Sequence, residues 1–253
     1  MKLAIMQPYY FPYIGYFQAI NAVDKYILYS NLTFIKEAWM NRNRIRLKNG
    51  KVQLVTMPLL HKSSNAMIYD VMIDNRFNWC EKFLKTLCMN YKGARHFDET
   101  YQLIESLIAP KYEKLVDFNV ATIRGISDYL EIKTEIESDN TRFLDMEESL
   151  SRIEDDYSVF PYLVTHPVRK VARVLEMCKR ENCNDFINAI GGQVLYSKEE
   201  FKIYGIDLHF VQTNFVEYDQ FGMPFQPGLS IIDVLMHNGK EGTKRLLNEY
   251  TLI

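Results

Sequence analysis

Apolar and polar positions along the chain change period several times, and each change predicts an element. Residues 3–6 form a short apolar run closed by Gln7-Pro8, which predicts a buried first strand. Residues 15–23 place Tyr16, Ile20 and Val23 near helical spacing, and KYILY at 25–29 predicts a second buried strand. A strand, loop, helix and strand in that order predict a parallel pair joined by a crossover. Residues 44–57 read RIRLKNGKVQLVTM, two strand-like runs meeting at Asn49-Gly50. That dipeptide suits the two positive φ angles of a type I′ turn, so a β-hairpin is expected, ended by Pro58. A further strand is expected over residues 68–73, between the polar HKSSN of 61–65 and Asp74-Asn75.

From residue 78 to about 130 the texture becomes helical, in FNWCEKFLKTLCMNY, FDETYQLIESLI and LVDFNVATIRGISDYL, with Pro110 between the second and third. Residues 133–137 read as a strand, and 138–162 as acidic and irregular. A helix over 168–181 leads to a strand at 185–189 that ends at Ile190-Gly191-Gly192. Ser197 and Glu200 form a capping box before the next helix, 208–212 is a strand, and Ser230 with Asp233 opens a last helix that Gly239 stops. The reading is an α/β fold: a Rossmann-like, mostly parallel sheet with an antiparallel hairpin and a helical segment, 78–130, packed on it. All 253 residues are assigned to a single domain.

Charge narrows the partners. The 30 basic and 32 acidic residues leave a net charge of -2, so no global field draws the chain to nucleic acid or an anionic membrane. No apolar run is long enough to span a bilayer, and Pro8 and Pro12 interrupt any signal-like segment, which predicts a cytoplasmic protein. The four cysteines have neither zinc spacing nor the density of a disulfide scaffold, so free thiols are expected. His61, His96, His166 and His209 are scattered, and no metal site is expected. There is no G-x-S-x-G elbow or Ser-His-Asp order, which disfavours a nucleophilic hydrolase. No motif names a cofactor.

Four clusters carry candidate chemistry. Gln7, Tyr9, Tyr10, Tyr13, Gly15 and Tyr16 follow the first strand, where open α/β sheets collect ligands, and tyrosine faces suit stacking on a sugar or base. The competing reading is an aromatic plug. Trp39, Asn41, Arg42 and Asn43 combine a guanidinium fork with amides that suit phosphate and sugar hydroxyls, although arginines before a strand are also common on surfaces. Gly191, Gly192 and Tyr196 lie at a strand-to-helix passage that either offers N–H groups to an anion or only turns tightly. Asp233 and His237, four apart, share a helical face behind Ser230 and form a candidate general-base pair, or a surface contact.

The segments QPYYFPYIGYF, AWMNRNRI, INAIGGQVLYSKEEF and LSIIDVLMHNG occur in that order and together resemble the WbqC-like family over most of the chain, residues 138–165 excepted. The resemblance implies a bacterial protein of O-antigen or other surface-polysaccharide assembly, with amino-sugar acylation or glycine transfer as a suggested role. Its matching positions are Gln7, Pro8, Tyr9, Tyr10, Pro12, Gly15, Tyr16, Trp39, Asn41, Arg42 and Asn43, then Gly191, Gly192, Tyr196, Leu229, Ser230, Asp233 and Gly239. Tyr13-x-Gly15-Tyr16 is also faintly similar to the H-x-G-H signature of adenylyl-transferring enzymes, with both histidines replaced.

The working expectation is a transferase acting on a sugar nucleotide or amino sugar. Loop 7–16 would stack on the ligand, Arg42 and Asn43 would grip it, and Asp233 with His237 would supply the base. Its partner would be a small sugar or nucleotide sugar, with no nucleic acid and no membrane span, and self-association stays open. A nucleotidyl-transferring enzyme and a non-catalytic partner in a biosynthetic complex are the rivals.

Overall fold

The computed structural model describes residues 1–60, 65–109, 111–152 and 168–253. The expected boundaries at 61–64 and Pro110, and His166, lie outside them. Strands β1 (Lys2–Met6), β2 (Lys25–Leu28), β5 (Glu135–Glu137), β6 (Asp185–Ala189), β7 (Asp207–Thr213) and β8 (Tyr250–Leu252) form one six-stranded sheet in the order β5-β2-β1-β6-β7-β8. All neighbours run parallel except β7 and β8. Strands β3 (Arg42–Arg46) and β4 (Val52–Thr56) form a separate antiparallel hairpin. The fold is therefore the mixed α/β arrangement read from the sequence.

Alternation along the central strands explains the layering. Ala4, Tyr26, Leu28, Ile187 and Val211 point to one face and join the larger core. That core includes α1 (Ile14–Asn21), α2 (Trp79–Tyr91), α3 (Phe97–Ile108), α4 (Leu115–Tyr129) and α8 (Ile231–Leu246). Leu3, Ile27, Phe186, Leu208 and Phe210 point to the other face, against α5 (Leu144–Leu150), α6 (Arg169–Arg180) and α7 (Lys198–Ile203). Strands buried on both faces read as continuous apolar runs, which is why β1 and β2 were legible.

Local outcomes differ from the sequence reading in three places. Only Gly50 of the Asn-Gly pair has a positive φ, 84°, and Leu47 N–H bonds Lys51 O at 2.8 Å, so the hairpin closes through a longer loop and not a type I′ turn. Residues 68–73 are not a strand: Ile68–Asp70 is a 3-10 turn, after which Met72 and Ile73 bridge two different segments. Burial of Ile68, Val71 and Ile73 in the larger core, beside α4, overrides their β propensity. Within 138–152 the chain is helical at Thr141–Phe143 and Leu144–Leu150. Gly239, at φ 62° and ψ -170°, leaves the helical conformation and stops the first part of α8 as expected, after which a second helical stretch follows at once.

The direction of winding matters for the site. The connection from β1 leads to β2 on one side of the sheet, whereas β6, on the other side of β1, leads through α7 to β7. Strand order thus reverses between β1 and β6, and a crevice opens at their carboxyl ends, the place where open α/β sheets hold ligands.

Candidate functional site

A cleft of about 700 Å³ occupies that crevice. Its floor is Met6 at the end of β1, Tyr29 just after β2, and Asn188 and Ala189 at the end of β6. One wall is aromatic. Tyr9 and Tyr16 lie with ring centroids 5.6 Å apart, Tyr16 Oη donates to Gln7 O at 2.8 Å, and Tyr13 stands at the start of α1. Burial raises the pKa of Tyr9, Tyr13 and Tyr196 above the ordinary tyrosine value, so these phenols stay neutral and offer a π face with a hydroxyl.

The loop that presents these rings is held by side chains from elsewhere. Phe11 adopts φ 39°, an uncommon backbone for a bulky residue. Its carbonyl accepts from Asn43 Nδ2 at 2.7 Å and from Ser230 Oγ at 2.8 Å. Asn43 Nδ2 also reaches Tyr10 O at 3.1 Å, and Asn119 Nδ2 bonds Pro8 O at 2.9 Å. Tyr10 and Phe11 turn away from the cleft into the core, where Tyr10 stacks on Phe118 at 5.7 Å and Phe11 on Phe83 at the same distance. The sequence cluster therefore holds both of its readings at once: Tyr9, Tyr13 and Tyr16 line the cleft, and Tyr10 and Phe11 are the plug. Gly15 is not part of the cleft lining. A Cβ there would stand 2.3 Å from Thr213 Oγ1 and 2.4 Å from the Tyr13 ring, so the bare backbone makes room for Tyr13.

The opposite wall carries positive charge. Arg173 of α6 enters the lining, held in a two-point pair by Glu147, with Nη2 to Oε2 at 2.9 Å, and Tyr29 Oη bonds the same carboxylate. Lys170, one turn earlier and exposed, has no acid partner among the described residues. The first turn of α6 contains no acidic residue, the reverse of what a helix N-terminus favours unless an anion is nearby. That inversion is the signal by which Lys170 was findable in the sequence. Arg173 was not, since its partner lies 26 positions away. Gly191, Gly192 and Tyr196 complete this side; a Cβ on Gly192 would crowd Asn188 at 3.0 Å, while one on Gly191 would meet nothing within 4 Å.

The second expected cluster divides. Trp39 and Asn43 border a smaller recess of about 210 Å³ that shares Tyr9 and Tyr13 with the cleft. Arg42 lies outside both, paired with Glu37, and Asn41 Nδ2 bonds Met57 O at 3.0 Å, fastening the hairpin. Arg44, not Arg42, is the guanidinium at the recess.

The fourth cluster departs furthest from expectation. Ser230 is fully buried and caps α8 while gripping Phe11 O. Asp233 is also fully buried, and its carboxyl oxygens accept from Tyr91 Oη at 2.7 Å, Tyr218 Oη at 2.8 Å and Gln220 Nε2 at 2.8 Å. Arg46 Nη1 continues the network to Gln220 Oε1 at 2.5 Å. His237 packs its ring on Phe221 at 4.7 Å, and burial lowers its pKa below the usual histidine value. Neither residue lines the cleft, because the face of α8 that carries them packs on α2 and on the chain around residues 218–221. The network ties hairpin, helix and loop together behind the aromatic wall.

A sequence model described as the WbqC-like protein family matches residues 7–245. The chain belongs to that family. Its matched span starts at the first residue of the cleft loop and stops one residue before the end of α8, so the recess, the buried network and all of the cleft lining except Ile5 and Met6 lie inside it. A relative in the same family is the uncharacterized protein Rv1507c of Mycobacterium tuberculosis (strain ATCC 25618 / H37Rv), 26% identical over 243 residues and covering 95% of each chain. No solved structure matches this chain. No described helix of this family member is long and apolar enough to cross a membrane.

Proposed function

We propose that this chain is a transferase of bacterial surface-polysaccharide assembly that binds a sugar nucleotide in the cleft between β1 and β6. The observation that carries the reading is the pairing, at the switch point of the sheet, of a neutral tyrosine wall with a cationic wall containing Lys170 and Arg173. Rings of base and sugar would lie on Tyr9 and Tyr13, and the diphosphate would face Lys170 and Arg173, where guanidinium and ammonium groups suit phosphate oxygens. The described lining supplies hydroxyls, two amides and two cations, groups that bind and orient; Glu147 pairs with Arg173 and would hold it in place against the ligand. Group transfer is assigned to this cleft and not to Asp233, whose oxygens are already taken by three donors. Cytoplasmic residence, where nucleotide sugars are made, belongs to the same proposal.

Calorimetric titration with a panel of nucleoside-diphosphate sugars tests it. At least one sugar nucleotide should bind, and Lys170→Ala and Tyr9→Ala should each weaken it about tenfold, equivalent to about 1.4 kcal/mol. The reading falls if no member of the panel binds, or if both variants leave every dissociation constant unchanged. Release of pyrophosphate from a nucleoside triphosphate with magnesium would replace it with nucleotidyl transfer.

A further inference from the structure

The recess beside the cleft is built more carefully than an accidental hollow. Trp39 and Phe215 flank it with 41% and 47% of their surfaces exposed, a high degree for large aromatic side chains. Arg44 lies over the Trp39 ring, its guanidinium carbon 5.5 Å from the centroid. Nη2 of Arg44 donates to Gly228 O at 2.8 Å. Gly228 has φ 67°, which favours glycine, and a Cβ on it would stand 3.1 Å from that nitrogen, tight enough to press on the arginine. Among the described residues Arg44 makes no ion pair and its buried Nε has no hydrogen-bond acceptor. A guanidinium is thus fixed in an aromatic-walled hollow without a counter-charge among the described residues.

Size and position complete the picture. At about 210 Å³ the recess is smaller than the roughly 300–1,000 Å³ of pockets that enclose larger ligands, and it suits one ring. Tyr9 and Tyr13 border both spaces, so an occupant of the recess and an occupant of the cleft would touch the same two side chains. We propose that the recess is a second sugar subsite, which takes a single pyranose ring bearing a carboxylate, stacked between Trp39 and Phe215 with its acid group on Arg44. This rests on the sugar-nucleotide reading of the cleft, and it deepens that reading by naming the class of the second substrate.

Tryptophan emission gives a local readout, because the chain has only two tryptophans and the other, Trp79, is buried edge-on against Phe118. The full-length protein is titrated with D-galacturonic acid and, separately, with neutral methyl α-D-galactopyranoside. Galacturonic acid should shift the emission saturably in the unaltered protein and leave Trp39→Phe unchanged. Arg44→Met should weaken it about tenfold, and Phe215→Ala, at an exposed position that cannot disturb folding through the core, should weaken it several-fold. Lys170→Ala should leave this affinity within about twofold. The proposal is overturned if galacturonic acid produces no saturable shift, if the neutral glycoside binds equally well, or if Phe215→Ala has no effect. The two readings fail separately. Sugar nucleotides that bind the cleft with no emission response to the acid sink the subsite alone, and a saturable Trp39 response without sugar-nucleotide binding sinks the cleft assignment alone.

Discussion

Replacing Asp233 with alanine separates a structural from a catalytic role for this residue. Three donors converge on its carboxyl group, and the variant leaves two of them without any acceptor: Tyr91 Oη and Tyr218 Oη. Gln220 Nε2 keeps Tyr218 Oη at 3.2 Å and Gln226 O at 3.3 Å, so it adds little to the cost. An orphaned buried donor costs about 1–3 kcal/mol, which puts Asp233→Ala at about 2–6 kcal/mol, a large share of the roughly 5–15 kcal/mol that keeps a domain folded. Asp233→Asn retains one acceptor oxygen and should lose about half as much. Urea unfolding followed by circular dichroism measures both, and calorimetry on the folded protein at low temperature should show sugar-nucleotide affinity for Asp233→Asn within about threefold of the parent. A loss of stability below about 1 kcal/mol together with abolished ligand binding would refute the reasoning, because it would place the carboxyl group in contact with substrate.

Two further outcomes follow from the geometry. Gly15→Ala should cost about 1–3 kcal/mol of stability through overpacking and weaken cleft ligands by displacing Tyr13, whereas Gly191→Ala, with open space around it, should stay within about 0.5 kcal/mol of the parent in the same urea series. For His237, burial outweighs the pull of Asp233 and Asp219 and holds the folded-state pKa below 6.5. As pH falls below that value the unfolded chain takes up a proton that the folded protein refuses, so this stability is complete above about pH 6.5 and declines toward the folded pKa. The difference in urea midpoint between about pH 7.5 and 5.5 should therefore shrink in His237→Phe, and an unchanged difference would exclude His237 as its source.

Much of the fold was legible because it depended on short-range pattern. The apolar runs at β1, β2 and β6 and the three helical periods between residues 78 and 130 are local consequences of burial on two faces or on one stripe. The site was legible only in part. Position after the first strand identified the tyrosine loop, yet whether each ring faces ligand or core depends on Asn43, Asn119 and Ser230, which are distant in sequence and pull its carbonyls into place. The Asp233 and His237 spacing reports a shared helical face but not what that face packs against.

Residue type and spacing, then, determined the α/β class, the hairpin, the capping serines and the candidacy of the tyrosine loop, since each is settled by interactions within a few residues. Tertiary structure alone decided that Arg44 and not Arg42 borders the recess, that Lys170 and Arg173 oppose the tyrosines, and that Asp233 is a buried anchor. Those outcomes turn on contacts between segments tens to hundreds of residues apart, and strand order, which no local pattern encodes, brings the segments together.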